Sequence, residues 1–444
     1  MNQAVGMACL DGGDLGVTEA TMRMTTNGPG RWIACAALAI CAGTAVAADD
    51  TPTTVLRAAK VLVGPDAAPI DDGVVLMRGG RIVAVGRQGS VAVPGGALES
   101  SCGRGGVVAA GFQNSHVHFI EPAMRDAARQ PAAALALHLS AMLTRYGFTT
   151  VVDTGSERAN TLALRARIER GELTGPRILT AGQPLFPPDG LPFYVAGLPK
   201  TLLDSWPQPP TPEAAVKAVR ENLDAGADGT KLFVATPQAN RTVRHMPPAI
   251  VQAAANASHE RGKLVMAHPT DADGLRAALA ARVDIVVHTT LDGGMTWPAP
   301  LVKQMVDARM AVVPTLKLWR YELMKDNVPE GVQRTLVAAA LGQLKDFSSA
   351  GGDVLFGTDV GYMTDHDPTE EYELMAQAGM TPMQILASLT TAPAARWNEA
   401  ARRGRVAVGM DADLVVLEAD PAQHAKNFAK LRCTIRGGAV VFRK

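Results

Sequence analysis

The chain has 444 residues, with 43 basic and 43 acidic side chains, and 47% of its residues are hydrophobic. This composition is typical of a globular protein with ample material for a hydrophobic core. The formal net charge of zero and an aromatic content of only 5% give no support to nucleic-acid binding or to general binding at a membrane surface. The chain has the size of an enzyme.

The first 47 residues have the pattern of a secretory signal peptide. An arginine and a run of about fifteen apolar residues precede the sequence Ala-Val-Ala at 45–47, which offers small residues at a cleavage site. We interpret residues 1–21 as an over-extended start, because Met22 or Met24 would give a signal peptide of normal length. We expect an exported protein, periplasmic or secreted, with no stable membrane insertion after cleavage. The alternative is a transmembrane anchor, for which the apolar run is short.

Segments with the character of β-strands lie at both ends of the mature chain. Residues 52–108 contain runs such as "GVVLMRGGRIVAVG", and residues 405–444 contain runs such as "DADLVVLEAD". Each region is too short to stand alone, so we expect the two to pair into one small β-sandwich domain. After loss of the leader, Cys102 and Cys433 remain and would both lie in this domain. They could pair in an oxidising compartment, and two separate buried thiols are the alternative.

Between these ends, residues 109–404 alternate short β-branched runs with longer helical stretches. The runs include "FTTVVDTG", "KLVMAHP" and "VLFGTDVG", and stretches rich in Ala, Leu and Arg, such as "TPEAAVKAVRENLDAG", separate them. Counting the strand that ends at His116 and His118, the pattern contains eight strands, each followed by helical sequence. Such a repeat predicts an α/β fold of the TIM type, a (β/α)8 barrel, rather than an open sheet.

Metal-capable side chains recur at the predicted carboxyl ends of five of these strands. His116 and His118 are two residues apart on one strand, so both point to the same face. The carboxyl ends of barrel strands meet at one edge, where barrel enzymes carry their active sites. One polar residue at a strand end is usually a hydrogen-bonded core group, but a matched set predicts a metal site. The set is His116, His118, Lys231, His268, His288 and Asp359.

Contacts with a substrate are harder to assign. The loop after the third barrel strand, "GQPLFPPDGLPFYVAGLP", is rich in Pro and Gly, and we expect it to cover the mouth of the barrel. Phe193, Tyr194 and Trp297 are candidates for lining an apolar pocket, and each could instead pack the loop. His366 follows the eighth strand and is a further candidate for substrate contact. We expect the other histidines at the surface: His138, His245, His259 and His424.

These motifs resemble those of a known family. The segments "NSHVHF", "AHP", "VHTT" and "GTDVG", together with Lys231 on the fourth predicted barrel strand, look like the metal signature of the amidohydrolase superfamily. "GRVAVGMDADLVVLEADP" is similar to the C-terminal signature of its imidazolonepropionase-related and prolidase-like branch. The resemblance covers nearly the whole mature chain. Asn114 departs from the pattern, because many members have an acid before the His-x-His pair. That acid is not a ligand, so the departure bears only on how the site is supported.

The resemblance implies two divalent metal ions, and neutral imidazoles with carboxylates suit zinc. It also implies that carbon dioxide carboxylates Lys231 and that the carbamate bridges both ions. That chemistry needs a neutral amine, which burial favours by lowering the pKa of lysine. The deeper ion would take His116, His118, Lys231 and Asp359, and the outer ion Lys231, His268 and His288. The alternative is one ion on His116, His118, Asp359 and His268, with Lys231 as a structural partner of Asp359.

The function implied by the resemblance is hydrolysis of a C–N amide bond by a metal-bridging hydroxide, with Asp359 carrying the proton to the leaving nitrogen. The substrate would be a small-molecule amide: a dipeptide, an N-acyl amino acid or a cyclic amide. Lactone or ester hydrolysis and deamination are alternatives on the same scaffold. A non-catalytic periplasmic protein that binds metal or ligand is an alternative of another class, which the intact site including Asp359 disfavours. A homo-oligomer is left open.

Overall fold

The computed structural model describes residues 51–444, so the signal peptide predicted for residues 1–47 lies outside the described residues. Within residues 51–444, no helix has both the length and the apolar character that crossing a bilayer requires. The strands are β1 (Thr54–Val61), β2 (Ile70–Arg78), β3 (Arg81–Arg87), β4 (Leu98–Glu99), β5 (Val107–Ala110), β6 (Phe112–Val117), β7 (Phe148–Asp153), β8 (Arg177–Thr180), β9 (Gly229–Phe233), β10 (Ala235–Pro237), β11 (Val243–His245), β12 (Leu264–His268), β13 (Ile285–Val287), β14 (Ala311–Val313), β15 (Leu414–Leu417), β16 (Leu431–Arg436) and β17 (Ala439–Arg443).

The α-helices follow the barrel strands, and the connections after β8, β14 and the last barrel strand contain more than one helix. They are α1 (Ala132–Met142), α2 (Arg158–Glu169), α3 (Lys200–Ser205), α4 (Pro212–Asp224), α5 (Pro248–His259), α6 (Ala272–Ala280), α7 (Ala299–Asp307), α8 (Leu316–Lys325), α9 (Glu330–Ser349), α10 (Thr369–Gln377), α11 (Pro382–Leu389) and α12 (Thr391–Arg396).

The small domain joins strands from both ends of the described chain in one sheet. Its order is β17-β16-β15-β5-β1-β2-β3, with β4 paired to β1. One buried cluster contains Leu56 and Val75 from the first half together with Leu414 and Ile435 from the second. This shared core makes the predicted β-sandwich. Because β5 pairs with β15 as far as Ala110, the predicted domain boundary at residue 109 falls inside a strand of this sheet.

A disulfide bond links Cys102 and Cys433 within the sandwich. Their Cα atoms are 5.8 Å apart, although the residues are 331 positions apart in the chain. Both side chains are buried in the shared core. Of the two alternatives that the sequence left open, the structure therefore contains the disulfide.

The strands of the large domain run parallel and close on themselves. β6, β7 and β8 form one paired set, and β9, β12, β13 and β14 form another. The amide of Asp228 donates to the carbonyl of Thr180 at 2.7 Å, which joins the two sets. Residues 354–356 complete the circle, because the Leu355 amide donates to Val312 at 2.9 Å and the Ser115 amide donates to Phe356 at 2.7 Å. The predicted (β/α)8 barrel is confirmed.

Alternation along the strands divides the barrel residues between two cores. Ile285 and Val287 belong to the cluster inside the barrel, whereas Val286 between them packs in the core outside it. The same alternation turns Lys231 of β9 inward, because it pairs in register with the inward-facing Met266 of β12. His268, two residues beyond Met266, continues this inward row. The fold thus brings polar side chains to the carboxyl end of a barrel that is otherwise filled with apolar ones.

Candidate active site and metal centre

The six side chains predicted at the strand ends come together around a cavity of about 290 Å³. Among the described residues, His116, His288 and Asp359 offer ligand atoms that all lie within 4.8 Å of one another. The ring of His268 lies 4.7 Å from that of His288, and the Nζ atom of Lys231 lies 4.9 Å from the centre of the Phe233 ring. All six line the cavity: His116, His118, Lys231, His268, His288 and Asp359.

The carboxylate of Asp359 lies at the centre of the histidine cluster. Its Oδ1 atom is 3.0 Å from Nε2 of His118 and 3.4 Å from Nε2 of His116. Its Oδ2 atom is 3.8 Å from Nε2 of His288. The two Nε2 atoms of His116 and His118 are themselves 3.2 Å apart. Several nitrogen and oxygen atoms therefore converge on one small volume.

Two of these histidines are oriented by hydrogen bonds on the far side of the ring. Nδ1 of His118 lies 2.6 Å from the carbonyl oxygen of Gly155, which can only accept. Nδ1 of His288 lies 2.6 Å from the hydroxyl of Thr315, and that hydroxyl donates to the carbonyl of Pro314. Both Nδ1 atoms therefore carry the proton, and in the neutral imidazole the lone pair of Nε2 faces the cavity.

Burial sets the charge states at the site. It lowers the pKa of His116 to about 4, and it lowers the pKa of His288 well below the usual range. Burial also lowers the pKa of Lys231 to about 7, against the opposing charges of Asp359 and Asp153. Burial alone would raise the pKa of Asp359, but the nearby His116 and His118 hold it well below its usual range. At neutral pH the site thus combines neutral imidazoles at His116 and His288, an ionised carboxylate and a readily neutralised amine.

The backbone near the ligand-type residues is held in an uncommon conformation. Asp359 has φ of +61° and His288 has φ of +78°, both in the left-handed region that non-glycine residues rarely occupy. Such residues cluster at functional sites, where the surrounding structure maintains the strain. Gly361 has φ of +96°, and a Cβ atom there would collide with the carbonyl oxygen of His118. Gly361, the second glycine of "GTDVG", therefore allows the backbone after the last strand to approach the end of β6.

Asn114 and Asp153 support the histidines from beneath. The Asn114 side chain donates to the hydroxyl of Thr358 at 2.7 Å and accepts from the amide of His116 at 3.2 Å, which ties β6 to the last strand. Asn114 thus has a positional role. Asp153, which the sequence analysis did not single out, is buried and accepts from Ser156 at 2.6 Å. Its position at the carboxyl end of barrel strand β7 was the feature of the sequence that could have identified it.

Aromatic side chains line much of the cavity. Tyr194 and Phe193 line it, as expected for the loop after β8, but Trp297 does not. The Trp297 ring is buried 6.5 Å from Phe347, and its Nε1 donates to Thr290 at 2.9 Å. Because the loop sequence has no regular period, it did not show whether Trp297 packs in the core or lines the cavity. The cavity residues that sequence reasoning missed include Phe186, Trp206, Phe233, Trp319, Glu322 and Tyr362.

His366 does not reach the cavity in the described structure. Its Nε2 atom lies 2.7 Å from the carboxylate of Glu121, and Nε2 of His138 lies 2.8 Å from the other oxygen of the same carboxylate. His366 is therefore hydrogen-bonded to Glu121 and is not among the residues that line the cavity, and its contact with substrate stays a prediction. His138, expected at the surface, is largely buried with it, with 22% of its side chain exposed.

Comparisons with known proteins support the same picture. The Amidohydrolase family matches residues 107–441. An Xaa-Pro dipeptidase structure is 22% identical, with a TM-score of 0.73, and covers 88% of this chain and 100% of its own. A putative prolidase from Bifidobacterium longum is 24% identical, with a TM-score of 0.72 over 88% and 95%. Molinate hydrolase is 18% identical, with a TM-score of 0.73 over 88% and 94%.

These solved structures share the fold of the chain. A search of curated proteins gave no match. The family match covers most of the chain, including every strand of the barrel and the sandwich strands β15 and β16. The chain therefore belongs to the amidohydrolase family, and it is a hydrolase that acts on carbon–nitrogen bonds.

Proposed function

We propose that the chain is a metal-dependent hydrolase of a small-molecule amide: a dipeptide, an N-acyl amino acid or a cyclic amide. One observation carries the proposal. Nε2 of His118, whose proton is on Nδ1, faces Oδ1 of Asp359 at 3.0 Å. With the imidazole neutral and no cation between them, two lone pairs would oppose each other in a buried site, which is costly. The names of the similar structures, a prolidase and molinate hydrolase, are those of hydrolases.

The donor set fits divalent ions. Oδ1 of Asp359 and Nδ1 of His268 are buried and have no hydrogen-bond partner within residues 51–444. Imidazole and carboxylate donors suit zinc in a catalytic site. Two ions would be held by these residues: His116, His118, Lys231 and Asp359 for the deeper one, and Lys231, His268 and His288 for the outer one. A second ion requires Lys231 to be an anionic bridge.

Lys231 would become that bridge by carboxylation. Its neutral amine attacks carbon dioxide, an N–C bond forms as one C–O π bond opens, and one proton passes from the nitrogen to water to give a carbamate. A pKa of about 7, caused by burial, leaves much of the amine neutral at physiological pH.

Bound divalent ions supply activation of water and polarisation of a carbonyl. The remaining chemistry belongs to the side chains of the chain. Asp359 is ionised and lies at the centre of the cluster, so it can accept a proton from the attacking water and deliver it to the leaving nitrogen. Tyr194 lines the cavity with a hydroxyl that has no hydrogen-bond partner among the described residues. We propose it as a substrate contact.

Metal analysis combined with an amide panel tests this function. Purified protein should carry close to two divalent ions per chain, and a chelator should abolish amide hydrolysis until zinc is restored. One ion per chain after supply of bicarbonate and zinc would remove the bridging role of Lys231. Undiminished hydrolysis by protein that lacks metal would refute the metal-dependent mechanism.

We also propose export, on the signal-peptide pattern of residues 1–47. Expression of the full-length gene should place the protein in the periplasm or the medium, with a mature N-terminus near Ala48 or Asp49. Intact-mass measurement checks the loss. A full-length cytoplasmic species would contradict the proposal.

A further inference from the structure

Two apolar walls enclose the candidate reaction centre. On one side, Phe233 stacks on Phe186 with ring centres 4.3 Å apart, and Phe186 stacks on Trp206 at 5.1 Å. The other face of this stack reaches the metal site, because the ring of His268 stacks on Phe233 at 4.8 Å. An unbroken aromatic wall therefore runs from the loop after β8 to the histidines.

The opposite wall comes from helix α8. Leu318, Trp319 and Leu323 line the cavity from this helix. The Trp319 ring centre is 6.0 Å from that of His288, and its Nε1 atom already donates to Thr289 at 2.7 Å. This wall therefore presents an apolar surface to the cavity, because the indole N–H of Trp319 is already used in a hydrogen bond. The two walls suit a flat or bulky apolar group next to the scissile bond.

Outside the proposed metal centre, the charged side chains that line the cavity are unfavourable to an anionic substrate. Within residues 51–444, Lys231 is the only lysine or arginine that lines the cavity, and it belongs to the proposed metal centre. Glu322 and Asp326 line the cavity as carboxylates. The nearest lysine on α8, Lys325, is already bound, because its Nζ atom donates to both oxygens of Glu322 at 2.8 and 2.9 Å.

Two partly buried tyrosines, Tyr194 and Tyr362, lie near the same negative charges. Burial raises the pKa of Tyr194 well above its usual value, and Asp359 and Glu322 raise it further. Burial also raises the pKa of Tyr362, and the charge of Glu322 raises it further. The Tyr362 hydroxyl donates a hydrogen bond to the Glu322 carboxylate at 3.0 Å. Even without the contribution of Asp359, a proposed metal ligand, burial and Glu322 disfavour a negative charge at these two phenols.

Building on the proposed amide hydrolysis, we infer that the substrate is an uncharged, apolar amide with no free carboxylate beside the scissile bond. Dipeptides and N-acyl amino acids carry a carboxylate on the carbon next to the leaving nitrogen. Here that carboxylate would lie against aromatic rings or near Glu322, without a free cation to pair with. Taking an unpaired charge out of water is costly, whereas a neutral ring in the same place gains from burial.

A matched pair of amides tests this inference. N-benzoylpyrrolidine and N-benzoylproline contain the same scissile bond and differ only by one carboxylate. We expect kcat/KM to be greater for N-benzoylpyrrolidine by about 10-fold or more, because a tenfold ratio requires only a modest difference in electrostatic free energy. Equal or faster hydrolysis of N-benzoylproline would overturn the inference.

Two variants of the Glu322–Lys325 pair separate charge from shape. Glu322→Gln removes a negative charge and releases Lys325, so the preference for the neutral amide should narrow by about 5-fold. Lys325→Met leaves Glu322 unpaired, so the preference should widen. Movement of the ratio in the same direction in both variants, with metal content and thermal stability unchanged, would count against an electrostatic origin.

Binding distinguishes this inference from the proposed function. Calorimetric titration of zinc-loaded Asp359→Asn protein with each compound measures affinity without turnover. Tighter binding of N-benzoylpyrrolidine by the variant, together with no hydrolysis of any amide by the unmodified protein, would support the substrate class and contradict the proposed function. Equal or tighter binding of N-benzoylproline, or no binding of N-benzoylpyrrolidine, would overturn the substrate class whatever the rates.

Discussion

Nε2 of His118 lies 3.0 Å from Oδ1 of Asp359, which connects the end of β6 to the end of the last barrel strand. The carbonyl of Gly155 holds the His118 proton on Nδ1, so this contact has no proton of its own when the imidazole is neutral. A cation is the simplest group that makes such a contact stable. The same contact leaves Asp359 next to the place where a proton must move in hydrolysis.

Asp359→Asn tests that second role. The substitution keeps the size of the side chain and one oxygen but removes the proton acceptor. Turnover should fall by about 10²–10⁴-fold, the usual contribution of a positioned acid or base. Metal should be partly retained, because His116, His118 and Lys231 are unchanged. Steady-state kinetics with metal analysis checks both quantities, and Asp307→Asn on the exposed side of α7 is a matched control. Full activity with metal bound would assign the proton transfer to another group.

Lys231→Ala should instead remove metal first. Without the amine no carbamate can form, so metal content should fall from about two ions per chain, and activity should fall with it. Short carboxylic acids should restore part of the activity by replacing the carbamate. Lys317→Ala is a suitable control, because Lys317 is also buried but its Nζ atom donates to backbone carbonyls of Asp365 and Asp367. Retention of two ions by Lys231→Ala would contradict the bridging role.

The Cys102–Cys433 disulfide should stabilise the sandwich. It closes a loop of 331 residues, and loss of a native disulfide typically costs about 2–5 kcal/mol. Cys102→Ser should lower the free energy of unfolding by that amount in denaturant titrations. Reductant should destabilise the unmodified protein but leave Cys102→Ser unaffected. Equal stability of oxidised and reduced protein would mean that the bond makes no net contribution.

Glu121 should make stability depend on acid pH. Burial alone would raise the pKa of its carboxyl group, but hydrogen bonds from His138 and His366 lower it to about 2. Because the pKa is lower in the folded state, the ionised carboxylate stabilises the fold above pH about 4.5, and that contribution is lost as the pH falls toward 2. Glu121→Gln should therefore lower the melting temperature at pH 7.

The pH profile is the decisive measurement for Glu121→Gln. The difference in melting temperature between this variant and the unmodified protein should narrow as the pH falls below about 4.5. Glu157→Gln, at an exposed position, should show a small difference at every pH. A constant difference for Glu121→Gln would indicate a packing effect rather than an ion pair.

The sequence by itself determined the barrel and the six side chains at its mouth. Strand alternation has a period of two, so His116 and His118 must share a face, and Lys231 must point to the same side as its inward neighbours. The carboxyl ends of all barrel strands meet at one edge, which brings His268, His288 and Asp359 together without knowledge of any loop. A repeating fold converts position along the chain into position in space.

Only the tertiary structure decided which other residues reach the cavity. Trp297 and Phe186 both lie in segments without regular period, and the path of each loop decides that Phe186 lines the cavity while Trp297 packs on Phe347. Glu121 draws His366 and His138 together from distant segments, a pairing that no local pattern encodes. Loop conformation depends on many long-range contacts at once, so side chains on loops are placed by the folded whole rather than by their neighbours in sequence.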